Sequence, residues 1–280
     1  QLDSGFFLDN DNFRQMREQI ESDFRNAAVR QAALAGKGYE DSPETLGEEI
    51  QKFFTHPEGP GLPGKKRRTK YPVKGIIAPH IDLARGGPCF AWAYREIAEN
   101  CRAKTFVIFG TSHVPTQQPF VLTYKDFETP FGPLPCNQEL ARAIQERVDF
   151  DLLEDEFVHR GEHSIEFQVI LLKYLFEKRN DISIVPILCG SFHELMVGGA
   201  NPDDNLQASQ FFSAVREAVA SSDGDVCFIA GADLAHVGPR FGDSHQLSEP
   251  QLKVLETDDM RMLETVVNRD LVIHPGILVA

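Results

Sequence analysis

A chain of 280 residues with 42% hydrophobic and 25% charged residues has ordinary globular composition and can bury a sizeable core as one large domain or two small ones. Its 28 basic against 42 acidic residues leave a net charge of −14, which argues against nucleic acid or an anionic membrane as a main partner, since both demand a positive surface. The longest apolar runs, Ile182 to Cys189 and Val226 to Ala230, are far too short to cross a bilayer.

No charged-then-apolar signal segment opens the chain, and its start at Gln1 rather than Met points to a trimmed N-terminus. Residues 11–29 place Phe13, Met16, Ile20 and Phe24 at spacings of three and four, the pattern of an amphipathic helix. A second helix is predicted at about 43–54, opened by Pro43 after the N-cap Ser42. The Gly/Pro-rich stretch from His56 to Gly64 reads as a connector, and the basic run Lys65-Lys66-Arg67-Arg68 with Lys70 as a solvated linker. Residues 1–70 therefore read as an N-terminal helical appendage and 71–280 as the main domain.

From Tyr71 onward strands and helices alternate. Val73 to Ala78, Thr105 to Phe109, Ile182 to Leu188 and residues 225–230 read as strands. Phe90 to Ile97 and residues 137–148, 163–178, 206–221 and 250–268 read as helices. Apolar strands alternating with helices imply an α/β fold, a mostly parallel or mixed central sheet with helices on both faces.

In such a sheet, ligands bind outside the carboxyl ends of the strands. Three predicted strands finish in polar sequence: Ala78-Pro79-His80-Ile81-Asp82, Gly110-Thr111-Ser112-His113, and Gly231-Ala232-Asp233-Leu234-Ala235-His236. Parallel strands put these ends on one edge, so His80, His113, Asp233 and His236 are expected to converge in one cleft. Glu162-His163-Ser164-Ile165-Glu166 can join them: His163 and Glu166 are three apart and share one helical face, a pairing suited to general acid–base work. His56, His193, His245 and His274 read as surface residues. The five cysteines are scattered without a C-x-x-C pair, which fits a reducing cytoplasm and neither a disulfide framework nor a zinc knuckle.

Two apparent motifs fail on context. Gly59 to Lys66 approaches a P-loop but lacks the final Ser/Thr and precedes a strand instead of following one. His159-Arg160-Gly161-Glu162-His163 matches H-x-x-E-H spacing, yet that chemistry needs a continuous helix, and Gly161 suggests a helix start.

The ordered blocks Ile76-Ile77-Ala78-Pro79-His80, Gly110-Thr111-Ser112-His113, Glu162-His163-Ser164-Ile165-Glu166 and Asp233 to Phe241, with Ala32 to Tyr39 upstream, resemble those of the Memo family, in bacteria called AmmeMemoRadiSam system protein B. The resemblance spans roughly 30 to 270. It implies a fold similar to class III extradiol ring-cleaving dioxygenases and a metal pocket using His80 and His113, with His163 lining it as an acid or base. Animal members have Asp-Phe-Cys-His where this chain has Asp233-Leu234-Ala235-His236, so the third ligand falls to Asp233, to His236 or to water. The function implied by the resemblance is that of a Memo-like metal-binding protein, an iron redox enzyme or dioxygenase with copper or zinc as alternative metals and a small molecule as its ligand. In that reading His80, His113 and Asp233 hold the metal, while His163, supported by Glu166, and His236 serve catalysis. Its rivals are a non-enzymatic module holding a peptide or partner loop in the same cleft, and a zinc-dependent hydrolase. The chain stops at Ala280, short of the family's usual C-terminal strands.

Overall fold

In the computed structural model, which describes residues 9–66, 70–193, 198 and 204–268, the chain begins with α1 (Asp11–Asn26), β1 (Val29–Arg30) and α2 (Pro43–Thr55). It continues through β2 (Gly75–Ala78), α3 (Leu83–Asn100), β3 (Thr105–Thr111), β4 (Phe120–Leu122), β5 (Asp126–Phe127) and α4 (Gln138–Gln145). Then come a 3-10 turn (Glu156–Arg160), α5 (Glu166–Leu175), β6 (Ser183–Cys189), α6 (Leu206–Ser221), β7 (Val226–Gly231) and α7 (Glu249–Asn268). Arg67 and Arg68 of the basic run, and His274, lie outside the described residues.

The four predicted apolar runs become β2, β7, β3 and β6 of one five-stranded sheet, ordered β2-β7-β3-β6-β4, whose edge strand β4 the sequence pattern does not predict. Its first four strands are mutually parallel, and only β4 runs antiparallel, against β6. The sheet is thus mixed, as the alternating pattern allowed. Side chains alternate across a strand, so Phe106 and Phe109 of β3 leave by opposite faces. Phe106 stacks on Phe176, just after α5, with centroids 6.0 Å apart, whereas Phe109 packs on Phe211 of α6 at 6.4 Å. Helices therefore cover both faces, the arrangement consistent with an extradiol dioxygenase-like fold.

The core lies between the sheet and α2, α3 and α5. Phe90, Tyr94 and Ile97 of α3, Leu171 and Leu172 of α5, and Phe106 and Ile108 of β3 are all inaccessible to solvent. The N-terminal segment belongs to the same cluster: Tyr39, Leu46, Ile50, Phe53 and Phe54 pack into it. What reads in sequence as an appendage thus supplies part of the main core. Gly87 makes this contact possible, because a Cβ there would come within 2.6 Å of three ring carbons of Phe53. Two short elements with no clear sequence signal, β1 and β5, pair in parallel and tie Val29 and Arg30 to Asp126 and Phe127.

Register matters for the site. Ala78 of β2 pairs with Gly231 of β7, and Ala230 of β7 pairs with Phe109 of β3, so three strands end level with one another. The described chain divides into two compact units, Gln1–Ser191 with Gln207–Ala232, and Phe192–Leu206 with Asp233–Ala280. The sheet belongs to the first; α7, which buries no side chain fully, belongs to the second. Among the described residues no helix is long and apolar enough to cross a membrane.

Candidate metal centre

His80 follows β2 by two residues, just before Asp82, whose carboxylate accepts from the Arg85 N–H at 3.0 Å and caps α3. The His80 ring is buried, with Nδ1 3.0 Å from the Gly231 carbonyl oxygen. A carbonyl only accepts, so Nδ1 carries the proton of this bond and Nε2 carries the ring's lone pair.

His113 follows β3 by two residues, on a turn fixed by the Ser112 N–H to Cys189 carbonyl bond (2.8 Å) and the Ser112 hydroxyl to Val114 carbonyl bond (2.7 Å). The turn 162–165 reaches the same place from the start of α5. Gly110 admits it: a Cβ at that position would lie 2.5 Å from Ser164 Oγ and 2.6 Å from Ile165 Cγ1. Only a residue without a side chain lets this turn press against the end of β3.

The three imidazoles meet. Ring centroids of His113 and His163 are 4.6 Å apart with planes inclined by 23°, and His80 stands edge-on at 5.1 Å from the first and 5.9 Å from the second. One nitrogen from each lies within 4.8 Å of the others, a spacing that one ion can bridge. The set runs from buried His80 through partly buried His163 to His113, whose side chain is 45% exposed, so the cluster opens to solvent on one side.

Beneath the two stacked rings sits Glu162, a buried carboxylate. Its Oε1 accepts from the backbone N–H groups of His163 (2.7 Å) and Ser164 (3.0 Å), and its Oε2 from the His113 N–H (2.9 Å). Oε1 also lies 3.0 Å from His113 Nδ1 and 3.1 Å from His163 Nδ1. Burial alone would raise this carboxyl, but the His163 side chain, the N–H groups of His113 and Ser164, and the nearby His113 ring outweigh it. Together they hold the group well below the usual carboxylate range.

Glu166 takes a different place from the helical pairing with His163 suggested by their spacing. The helix α5 begins only at Glu166, so His163 lies in the preceding turn and the two do not share a helical face. Glu166 is buried and accepts from Arg30, from the Tyr39 hydroxyl, and from the N–H groups of Ala33 (3.2 Å) and Leu34 (3.0 Å). Burial first, then the adjacent Glu166 charge, push the Tyr39 phenol up and keep it a donor. Arg30 has no exposed surface; besides Glu166 it donates to the carbonyls of Gln31 (3.0 Å), His159 (2.8 Å) and Glu162 (2.7 Å).

His159 is structural: its Nε2 lies 3.0 Å from the Val121 carbonyl oxygen, and burial lowers its pKa to about 3. Its 3-10 turn ends at Arg160, so the continuous helix needed for H-x-x-E-H chemistry is absent. Asp233 and His236 fall in the second unit, where they face one another at 3.5 Å, and the His236 ring stands edge-on to Phe241 at 4.9 Å. The buried thiol of Cys136 is pushed up to about 12, as suits a small apolar side chain.

Strand ends and the Glu-His-Ser turn made His80, His113 and His163 legible in sequence. Glu162 and Arg30 were not: the first looked like a neighbour of His163, and the second gives no local signal, since its partners lie about 130 residues away. As a donor set, three imidazoles backed by a carboxylate fit iron, copper or zinc, all of which imidazole suits.

The sequence matches the family model described as Memo-like protein over residues 30–272. It is 28% identical over 244 residues to a MEMO1 family protein of Aquifex aeolicus, covering 87% of this chain and 58% of that one. Archaeal MEMO1 family proteins are similarly related: that of Caldivirga maquilingensis is 31% identical over 86% of this chain and 77% of its own length. That of Desulfurococcus amylolyticus is 30% identical over 88% and 83%. The chain thus spans little more than half the length of the Aquifex relative and most of the archaeal ones. Strand-end histidines, the Glu162–Glu166 block and this continuous match agree: the chain belongs to the Memo-like family.

Proposed function

We propose that this chain is a metal-binding protein in which His80, His113 and His163 hold one iron ion for redox chemistry on a small organic molecule. The supporting observation is the meeting of three imidazole nitrogens within 4.8 Å at the open end of a parallel sheet. Three neutral nitrogen donors leave an ion's remaining positions open, the usual condition for a catalytic rather than a structural site. A redox-active ion would supply electron transfer and Lewis acidity there. The residues of the chain do the rest: His80 anchors the buried side, and His113 and His163 present the side that solvent and a substrate reach. His163 joins the donor set in this reading instead of standing beside it as a base. With no cysteine among the donors, the site differs from the Cys-containing pattern of animal relatives, and Ala235 removes no ligand from it.

Anaerobic reconstitution with ferrous, cuprous and zinc ions, followed by elemental analysis, tests the proposal. About one equivalent of iron retained by the parent protein, and lost in His80→Ala and His113→Ala variants that keep the parent's melting temperature, is the expected result. Zinc retained in preference to iron points instead to hydrolytic chemistry. A folded protein that retains no metal at all returns the cleft to peptide or partner binding and sinks the metal reading.

A further inference from the structure

Glu162 lies under the metal cluster without being one of its three nitrogen donors. Its two oxygens face three backbone N–H groups and the Nδ1 atoms of two separate histidines. An imidazole that donates from Nδ1 is the tautomer whose Nε2 lone pair points away from the partner. A carboxylate only accepts, so the hydrogen bond from His113 Nδ1 and the 3.1 Å approach of His163 Nδ1 favour the same tautomer in both rings. The two rings then stack nearly parallel, 4.6 Å apart, on that common base. For His80 the Gly231 carbonyl does the equivalent work.

We propose that Glu162 is the positioning residue of the metal centre, fixing His113 and His163 together with Nε2 as the ligand atom, and that Arg30 holds the turn that carries it. Arg30 grips the main chain that leads into this turn, at the carbonyls of His159 and Glu162. It is itself clamped by Glu166, which also binds Tyr39 and the N–H groups of Ala33 and Leu34. The segment 30–39 is therefore part of the support of the site. This inference rests on the proposed metal site for its affinity consequence, but its tautomer consequence stands without any metal.

Glu162→Gln is the discriminating variant, because it keeps the shape and exchanges one acceptor for a donor. Whichever way the amide turns, its NH2 meets a backbone N–H or an Nδ1–H. The relief open to the rings is transfer of their proton to Nε2, where the lone pair was. In metal-free protein, 15N spectra of the imidazoles should show His113 and His163 as Nδ1–H tautomers in the parent and shifted toward Nε2–H in the variant. Cobalt(II), titrated by its visible absorption, should bind the variant about 10–100-fold more weakly, the usual loss when such an outer carboxylate is removed. The melting temperature should move little. Should the Gln variant not fold, Glu162→Asp keeps the charge one methylene shorter, and is expected to retain the Nδ1–H tautomers with a smaller affinity loss. Unchanged tautomers in the Gln variant, or unchanged cobalt affinity in whichever variant folds, overturns the positioning role. A parent protein that takes up no cobalt overturns the metal reading instead, and the spectra alone then decide whether Glu162 sets the two rings.

Discussion

Replacing Arg30 with methionine probes how the N-terminal segment is joined to the site. In the folded chain the Arg30 and Glu166 side chains are 0% and 1% exposed, so the pair is dry. Removing one partner of a buried pair leaves an uncompensated charge and typically costs about 3–5 kcal/mol. Here Glu166 keeps the Tyr39 hydroxyl and the N–H groups of Ala33 and Leu34, which softens that penalty. Against this, the carbonyls of Gln31, His159 and Glu162 each lose a donor. The two corrections oppose one another, and a loss of about 3–5 kcal/mol remains the expectation, a fall in melting temperature of roughly 10 °C for a chain of this size. Much of that loss is the stranded charge. In a Glu166→Gln background the same Arg30→Met change should therefore cost less, by about 1–3 kcal/mol of coupling. Urea and thermal unfolding of the four proteins, read by circular dichroism, measure the cycle. A single Arg30→Met loss below about 1 kcal/mol, or additive single effects, would mean that the pair does not carry the segment.

Three other outcomes rest on separate observations. Gly110→Ala forces a methyl group to within 2.6 Å of Ser164 and Ile165, so it should destabilise by about 1–3 kcal/mol and weaken metal binding by moving His163 away from His113; a variant with parent stability and metal affinity contradicts the close approach. His159 is buried neutral with its pKa lowered to about 3, so the unfolded chain binds a proton there that the folded chain refuses. Its contribution is complete above the unfolded value of about 6.5 and is lost as pH falls from there toward 3, at up to about 1.4 kcal/mol per pH unit; His159→Gln, which can still donate to Val121, should flatten that part of the stability–pH profile. Gly87→Ala should loosen α2 from α3 through its clash with Phe53, raising hydrogen exchange in residues 43–55 while leaving the tautomers of His113 and His163 unchanged.

Four strands of the main sheet were legible because β-branched and aromatic runs have few alternatives, and the strand-end rule then placed His80 and His113 at one edge. The three-residue edge strand Phe120–Leu122 is too short to carry such a run. The Gly86-Gly87-Pro88 run hid the first turns of α3, which starts at Leu83 under the Asp82 cap. Those glycines serve close packing, a tertiary demand that local propensity does not express. Glu166 was misplaced for a related reason. A three-residue spacing puts side chains on one face only inside a helix, and Ile165 is the N-cap, so His163 lies before that geometry applies. Arg30 illustrates the limit most sharply: a lone arginine in a short strand looks solvated until partners from residues 159–166 surround it.

X-ray absorption at the iron edge of anaerobically reconstituted protein tests the central claim most directly. A first shell containing three imidazole nitrogens and no sulfur, reduced by one imidazole in His163→Ala, is the expected spectrum. A sulfur scatterer, or a shell unchanged by loss of His163, would contradict the three-histidine centre.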